Sequence, residues 1–402
     1  MADFRGYRRA DGSVGVRNHV AVVPTSVAAS ALAKRIASDG GERARATPHQ
    51  MGTHQPNPAR EQTERVLVGT GRHPNVGGAL VVDLGTESID SDRVADRIAA
   101  TGTPVETLSI RDTGGTTAAI ERGTDLVVDL LEETAAARRE GADASELVFA
   151  VECGGSDATS GIASNPAVGN ACDRLVDAGG TACFSETPEF IGAEHILADR
   201  CADEETRSRL LERVERRERK AQLMGVDLLG AQPTPGNQEG GLTTIEEKSL
   251  GAISKGGTKP IRAVLEYADS LPTGAGLVVM DTPGYDVESV VGMVAGGAQV
   301  VAFTTGRGST TGNPIAPVIK VTGNPETWAR MSNNMDVNAS TILDGDSLDA
   351  VGARVYDTLL DVADGRRTAA ERSRLEEFAI NELLPIELEN DGEGGSRREV
   401  VR

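Results

Sequence analysis

The segment Glu152-Cys-Gly-Gly-Ser-Asp157 follows the apolar run Leu147–Val151 and gathers a thiol, a hydroxyl, two carboxylates and the N–H groups of two glycines. A buried strand running into paired glycines and small polar residues delivers those groups to one sheet edge, which is where α/β enzymes build their sites. For Cys153 or Ser156 taken alone, a tight turn with a buried thiol is the plainer reading. Recurrence changes that, because three further apolar runs end in polar segments, at Gly85-Thr86-Glu87, Asp281–Asp286 and Thr304–Ser309. Four such ends are expected to share one cleft.

The side chains near these ends suit metal-assisted chemistry on a small anion. His49, His54 and His73 lie in Pro/Gly-rich sequence, while Asp157, Glu186, Glu189 and Asp286 fall just past strands. Imidazole and carboxylate ligands of this kind serve a hard or borderline divalent cation. Lys248, Arg307 and Lys320 fall in Gly-rich segments of a chain with only six Lys against thirty-five Arg, and could pair substrate carboxylates. Other chemistries are poorly served. No Gly-x-Gly-x-x-Gly opens a helix after the first strand, no Gly-Lys-Ser/Thr occurs, and Ser156 is not in Gly-x-Ser-x-Gly. Cys153 has no local histidine partner, and Cys153, Cys172, Cys183 and Cys201 form no Cys-x-x-Cys pair.

The elements that must position these groups alternate. Apolar runs near Val20–Val23, Ala79–Val82 and Val105–Ile110 are interleaved with amphipathic stretches, and a second series begins at Leu147. This pattern predicts α/β architecture, with two domains of mostly parallel sheet and a cleft at the strand C-terminal ends. At 402 residues the chain exceeds the usual single-core ceiling. We place the N-terminal domain at 1–140, the domain with the catalytic motifs at 141–388 and a frayed tail at 389–402. The stretch 203–225, dense in Glu and Arg, reads as a solvated helix. A net charge of −20 argues against nucleic acid and anionic membrane as partners, and the acidic, Arg-rich composition points to a halophilic source. No apolar segment approaches the roughly 20 residues of a membrane span and no signal-peptide core is present, so a cytoplasmic location is expected.

Phe4–Asn18, His73-Pro-Asn75, Asp112–Thr116, Cys153–Asp157, Ser185–Glu189, Pro235–Gly251 and Phe303–Gly308, in that order, resemble the large catalytic region of altronate and galactarate dehydratases. Sulfolactate lyase large subunits look like the same family. The resemblance runs from Phe4 to about Glu377. It implies loss of water from a sugar acid to give a 2-keto-3-deoxy acid, assisted by divalent iron or manganese, with magnesium as a further candidate. Lys248 or His49 would be the base, with Cys153, Ser156 and Asp157 at the catalytic centre. His49, Asp157, Glu186 and Glu189 would be metal ligands, and Arg17, Asn18, Thr243, Thr244, Arg307 and Lys320 would bind the substrate. The chain departs from the pattern at Ala28, Thr53, Thr86, Asn313 and Ala339, where the family commonly carries Cys. It also starts at the large-region motif, so a small β domain is expected from a separate subunit, within a homo-oligomer.

Three readings follow. The first is a hydro-lyase acting on an altronate- or galactarate-like acid. The second is a lyase or hydrolase cleaving a C–S or C–C bond of a sulfonated or keto acid, and the third is a non-catalytic sugar-acid-binding subunit.

Overall fold

The structure is a computed structural model and describes residues 3–223, 225 and 233–383. The tail expected at 389–402 lies outside the described residues.

Two parallel sheets carry the fold. In the first, His19–Pro24 and Val76–Asp83 lie side by side, flanked by Ala44–Ala46 and Val105–Ser109. Both central strands are buried along their whole length, as near-continuous apolar runs must be when helices cover both faces. Alternate side chains serve alternate faces. Val20, Val22, Leu80 and Val82 pack with Ile36 and Leu126 of the helices Val27–Gly40 and Thr116–Thr134. Ala21, Val23, Ala79 and Val81 pack with Val66 and Val94 of Asn57–Gly71 and Ser91–Ala99.

The second sheet has seven parallel strands in the order Ile261–Leu265, Gly276–Met280, Thr181–Phe184, Val148–Cys153, Val300–Thr305, Val318–Thr322, Val337–Asn338. The helices Asn165–Asp177 and Leu348–Ala363 cover one face and Asp286–Ala295 the other. That last helix also joins the two sheets, because its apolar side and that of Asn57–Gly71 belong to one core. The two helices approach so closely that a Cβ on Gly69 would lie 2.2 Å from the Ala295 carbonyl oxygen.

The α/β fold with parallel sheets is as the alternating pattern predicts. Ala44–Ala46, Ile261–Leu265 and Val337–Asn338, which the apolar pattern does not predict, are sheet edges, where short strands carry little periodic signal. The domain junction expected at residue 140 falls inside the strand Arg139–Ala142, which pairs antiparallel with Phe4–Arg8. Three of the four polar strand ends lie on the seven-stranded sheet, and Gly85–Glu87 lies on the other. There the Glu87 carboxylate accepts the N–H groups of Leu84, Gly85 and Thr86 at 2.8–2.9 Å and the Thr25 and Ser26 hydroxyls. No helix among the described residues is long and apolar enough to cross a membrane.

Candidate active site

Adjacent strands place a thiol and three glutamates together. Val148–Cys153 ends in Glu152 and Cys153, and Thr181–Phe184 leads into Ser185, Glu186 and the short helical turn Thr187–Phe190. Glu186 adopts a left-handed backbone (φ 72°), an unfavourable conformation for a side chain of this size. It is held there by its N–H to Thr282 Oγ1 at 2.9 Å and by its Oε2, which accepts the Cys153 N–H at 3.1 Å. Lys255 follows the helix Ile245–Ile253 and is fully buried. Its ammonium touches Glu186 Oε2 and lies 3.2 Å from Glu189 Oε2 and 3.1 Å from Cys153 Sγ. Lys248, on the same helix, reaches Glu189 Oε1 at 3.4 Å. Burial opposes the Glu189 charge, but Lys255 and Lys248 overcome it and hold that carboxyl at about 2. Burial and then Glu189 push the Cys153 thiol well above its ordinary range, and its Sγ donates to Glu189 Oε2 at 2.9 Å.

Around Glu152 the balance is different. Its Oε2 accepts Ser289 Oγ at 2.6 Å and Ser185 Oγ at 3.2 Å, while Oε1 is buried with no hydrogen-bond partner. Oxygens of Glu152, Glu186 and Asp286 lie within 4.8 Å of one another. Burial first and the neighbouring acid second raise all three, Glu186 to about 7, although Lys255 pulls it back. One row across the sheet continues this face, since Phe303 is in register with both Glu152 and Lys320. Lys320 Nζ sits 3.7 Å over the Phe303 ring, buried and without a hydrogen-bond partner. Burial lowers it to about 7 against the pull of Asp286.

Of the residues singled out from sequence, Cys153, Glu186, Glu189, Lys248 and Asp286 come together, with Lys320 one strand beyond Phe303. Others are occupied elsewhere. Asp157 accepts Thr159 Oγ1 at 2.6 Å, the Ser160 N–H at 3.1 Å and Asn324 Nδ2 at 2.8 Å, which uses both of its oxygens in pinning loops. The Ser156 carbonyl accepts Asn237 Nδ2, and Arg307 binds the Gly236 carbonyl and Glu239. Thr244 caps the Lys248 helix through the Glu247 N–H, and the Thr243 N–H and hydroxyl bond the Glu247 carboxylate. Arg17 grips Glu371 at 2.6 and 2.8 Å and three carbonyls, and Asn18 bonds Arg9 and the Thr134 carbonyl. His49 is buried, with Nε2 at 2.8 Å from the Pro24 carbonyl and Nδ1 accepting the Met51 N–H, and burial lowers it to about 4. Arg17, Asn18 and His49 line a cavity of about 1360 Å³ together with Arg43, Arg45, Arg374, Tyr285 and Glu377. His73 lies in the core, with Nε2 at 3.1 Å from the Ala298 carbonyl and Nδ1 accepting the Asn75 N–H.

The sequence motifs assign no role to Lys255, and none to Glu152 beyond its place at the head of the segment Glu152–Asp157. Ser-Lys-Gly-Gly257 is nonetheless as Gly-rich as the segments around Lys248 and Lys320.

Comparison with known proteins bears on the same segments. Residues 144–386 match the family described as D-galactarate/Altronate dehydratase, C-terminal, and residues 6–135 match D-galactarate dehydratase/Altronate hydrolase, second domain. The chain belongs to the D-galactarate/altronate dehydratase family. It is similar to the (2R)-sulfolactate sulfo-lyase subunit beta of Chromohalobacter salexigens, 40% identical over 383 residues that cover 94% of this chain and 97% of the relative. The altronate dehydratase of Bacillus subtilis is 33% identical over 94% of this chain and 77% of its own length. The galactarate dehydratase (L-threo-forming) of Escherichia coli is 36% identical over 90% and 73%. None of these three is named a hydrolase, and the hydrolase alternative gains no support from them.

Proposed function

We propose that the chain is a lyase that removes the proton α to the carboxylate of a small hydroxy acid and expels the β substituent, which is water when the substrate is a sugar acid. The observation that carries this reading is the Glu152–Glu186–Asp286 group, two of its acids buried and the third partly so, with its unsatisfied Glu152 oxygen and two lysines in different protonation balance. An elimination needs such a division of labour. A base accepts the α-proton, a proton reaches the departing hydroxide, and fixed positive charge meets the carboxylate as electrons move toward it. The arginines of the neighbouring cavity suit binding of an acid in a chain of net charge −20.

The family implies a divalent cation, and two sets of side chains can be tested for it. Between Cys153, Glu186 and Glu189 the Lys255 ammonium already takes the cationic position, so that set fits a metal poorly. Glu152, Glu186 and Asp286 fit, being three hard oxygen donors, one of them with an orphaned atom. When bound there, a divalent cation supplies Lewis-acid stabilisation of charge on the substrate carboxylate. This chain's own residues do the rest: Lys255 fixes Glu186, and Ser185 and Ser289 orient Glu152.

A second reading keeps the same step and changes the leaving group. It is favoured by the similarity to a sulfo-lyase subunit over nearly that relative's whole length. Loss of the α-proton and rupture of a β C–S bond would release sulfite and an enol that becomes a keto acid. The name of that relative also supports a separately encoded second subunit. The deciding experiment incubates the metal-supplemented protein, with and without that subunit, with aldonic, aldaric and sulfonated 2-hydroxy acids, and assays keto acid and sulfite separately. Keto acid without sulfite supports dehydration, and equal amounts of both support sulfite elimination. Neither product from any acid would overturn the lyase reading.

A further inference from the structure

We infer that Lys320 is the base that accepts the α-proton in the elimination. The inference rests on the lyase reading above and names the group that performs its first step.

Lys320 projects from the middle of a strand, Val318–Thr322, fully buried, yet its Nζ has no hydrogen-bond partner. Burying an ammonium that way is costly, and proteins keep such a group mainly where it works. The Phe303 ring at 3.7 Å gives it a face to rest on without supplying an acceptor. The charged groups acting on it are Asp286, Glu377, Asp336 and Glu152. None grips Nζ. Asp336 is spent on the backbone N–H groups of Lys320 and Ala369, Glu377 accepts the Gly312 N–H, and Glu152 is bonded to Ser185 and Ser289. Burial therefore prevails and leaves the amine near neutrality, where a base is most useful.

The other candidates are less free to act. Lys255 and Lys248 are held protonated, against burial, by the carboxylates beside them. The Cys153 thiol is pushed up by burial, and both His49 nitrogens are engaged. Position also favours Lys320. It shares a sheet row with Glu152, and of the acids acting on it Glu377 lines the Arg-lined cavity while Asp286 is flanked in sequence by the lining residues Tyr285 and Val287. In the step itself the α C–H bond breaks and N–H forms on Lys320. The electron pair becomes the Cα=Cβ bond as the Cβ–O bond breaks. The hydroxide leaves as water with the proton returned by the Lys320 ammonium just formed, and the enol gives up its hydroxyl proton and takes one at Cβ to become the ketone. No oxidant or reductant is needed.

The test uses Lys320→Arg, which keeps charge, Lys320→Met, which keeps bulk, and Lys320→Ala. For all three, kcat should fall by about 10²–10⁴-fold, the usual contribution of a positioned base. Exchange of the substrate α-hydrogen into deuterium oxide should fall with it. Ethylamine should restore part of the Lys320→Ala activity in proportion to its unprotonated fraction. A readout independent of turnover is the pH dependence of Tm. The native pKa lies below the ordinary lysine value of 10.5, so between about 7 and 10.5 the unfolded chain binds a proton that the native one does not. Wild-type stability should rise with pH across that window, and Lys320→Met should lack this increment. Undiminished exchange in Lys320→Met, absence of amine rescue, or identical Tm–pH curves would each overturn the inference. Absence of any product from wild type would instead sink the lyase reading, while the Tm comparison would still report whether Lys320 is neutral.

Discussion

The Cys153 thiol donates to Glu189 at 2.9 Å and lies 3.1 Å from Lys255, in surroundings that keep it protonated. A group in that state is a donor and not a nucleophile. Cys153→Ser should therefore keep kcat within about tenfold, the change being from one donor to another. Iodoacetamide should label the partly exposed Cys201 in the native protein and reach Cys153 only after unfolding; rapid stoichiometric labelling of Cys153 with loss of activity would establish a thiolate instead. Lys255 carries more of the stability. Lys255→Met leaves Glu186 and Glu189 buried against Lys248 alone, and breaking a buried charge set in this way costs about 3–5 kcal/mol, measurable by urea unfolding. Adding Glu186→Gln should recover part of that loss. Cys153, Glu186 and Glu189 were legible because each lies at or just past a strand end in a short polar motif. Lys255 was not, because its partners lie 66 to 102 residues away and only the fold brings them close. His49 shows the converse: an imidazole in loop sequence looks available until the fold buries it and supplies Pro24 and Met51 as partners.

Two helices show how elements serve the site from outside it. Glu204–Leu223 has the solvated face and i,i+4 pairs that its charge pattern predicts, Arg209–Glu205 and Arg219–Glu215. It also sends Arg216 and Arg217 to the buried Asp281, which accepts the Thr187 hydroxyl at 2.7 Å and so steadies the loop bearing Glu186 and Glu189. Periodicity revealed the helix and hid this contact, since an inward Arg and an outward one look alike in sequence. The helix Ile245–Ile253 carries Lys248 and delivers Lys255, and its N-terminus is fixed by Thr244, whose hydroxyl accepts the Glu247 N–H. Thr244→Ala should cost about 1 kcal/mol of stability. Its effect on kcat should exceed what unfolding explains, because both lysines move with the helix. Gly69→Ala tests the contact between helices: the added methyl would collide with the Ala295 carbonyl, and separating the helices should cost about 1–3 kcal/mol in a thermal melt.

At the scale of the whole molecule, the parallel sheets were legible because their central strands are uninterrupted apolar runs covered on both faces. Long-range pairings were not, such as that between Phe4–Arg8 and Arg139–Ala142, because sequence separation erases the signal. Net charge is the property that sequence states outright and the fold only distributes. On the helix Thr116–Thr134 the exposed face carries Glu121, Asp125, Asp129 and Glu133, spaced four apart. Like charges at that spacing destabilise a helix by roughly 0.2–0.5 kcal/mol per pair. Three such pairs follow from the spacing, and a net charge of −20 adds diffuse repulsion over the rest of the surface. Salt relieves both, since the screening length shrinks from about 10 Å at 0.1 M to about 3 Å at 1 M. Tm should therefore rise between 0.1 and 1 M in KCl and NaCl alike. Chloride salts are the right choice because sulfate would add a separate effect on apolar burial. Replacing Glu121, Asp125, Asp129 and Glu133 by their amides should raise Tm at 0.1 M by the equivalent of about 1 kcal/mol and narrow the gap to the 1 M value. A wild-type Tm that falls with chloride would show that its ion pairs outweigh the repulsion, and an unchanged gap in the amide variant would place the repulsion away from this helix.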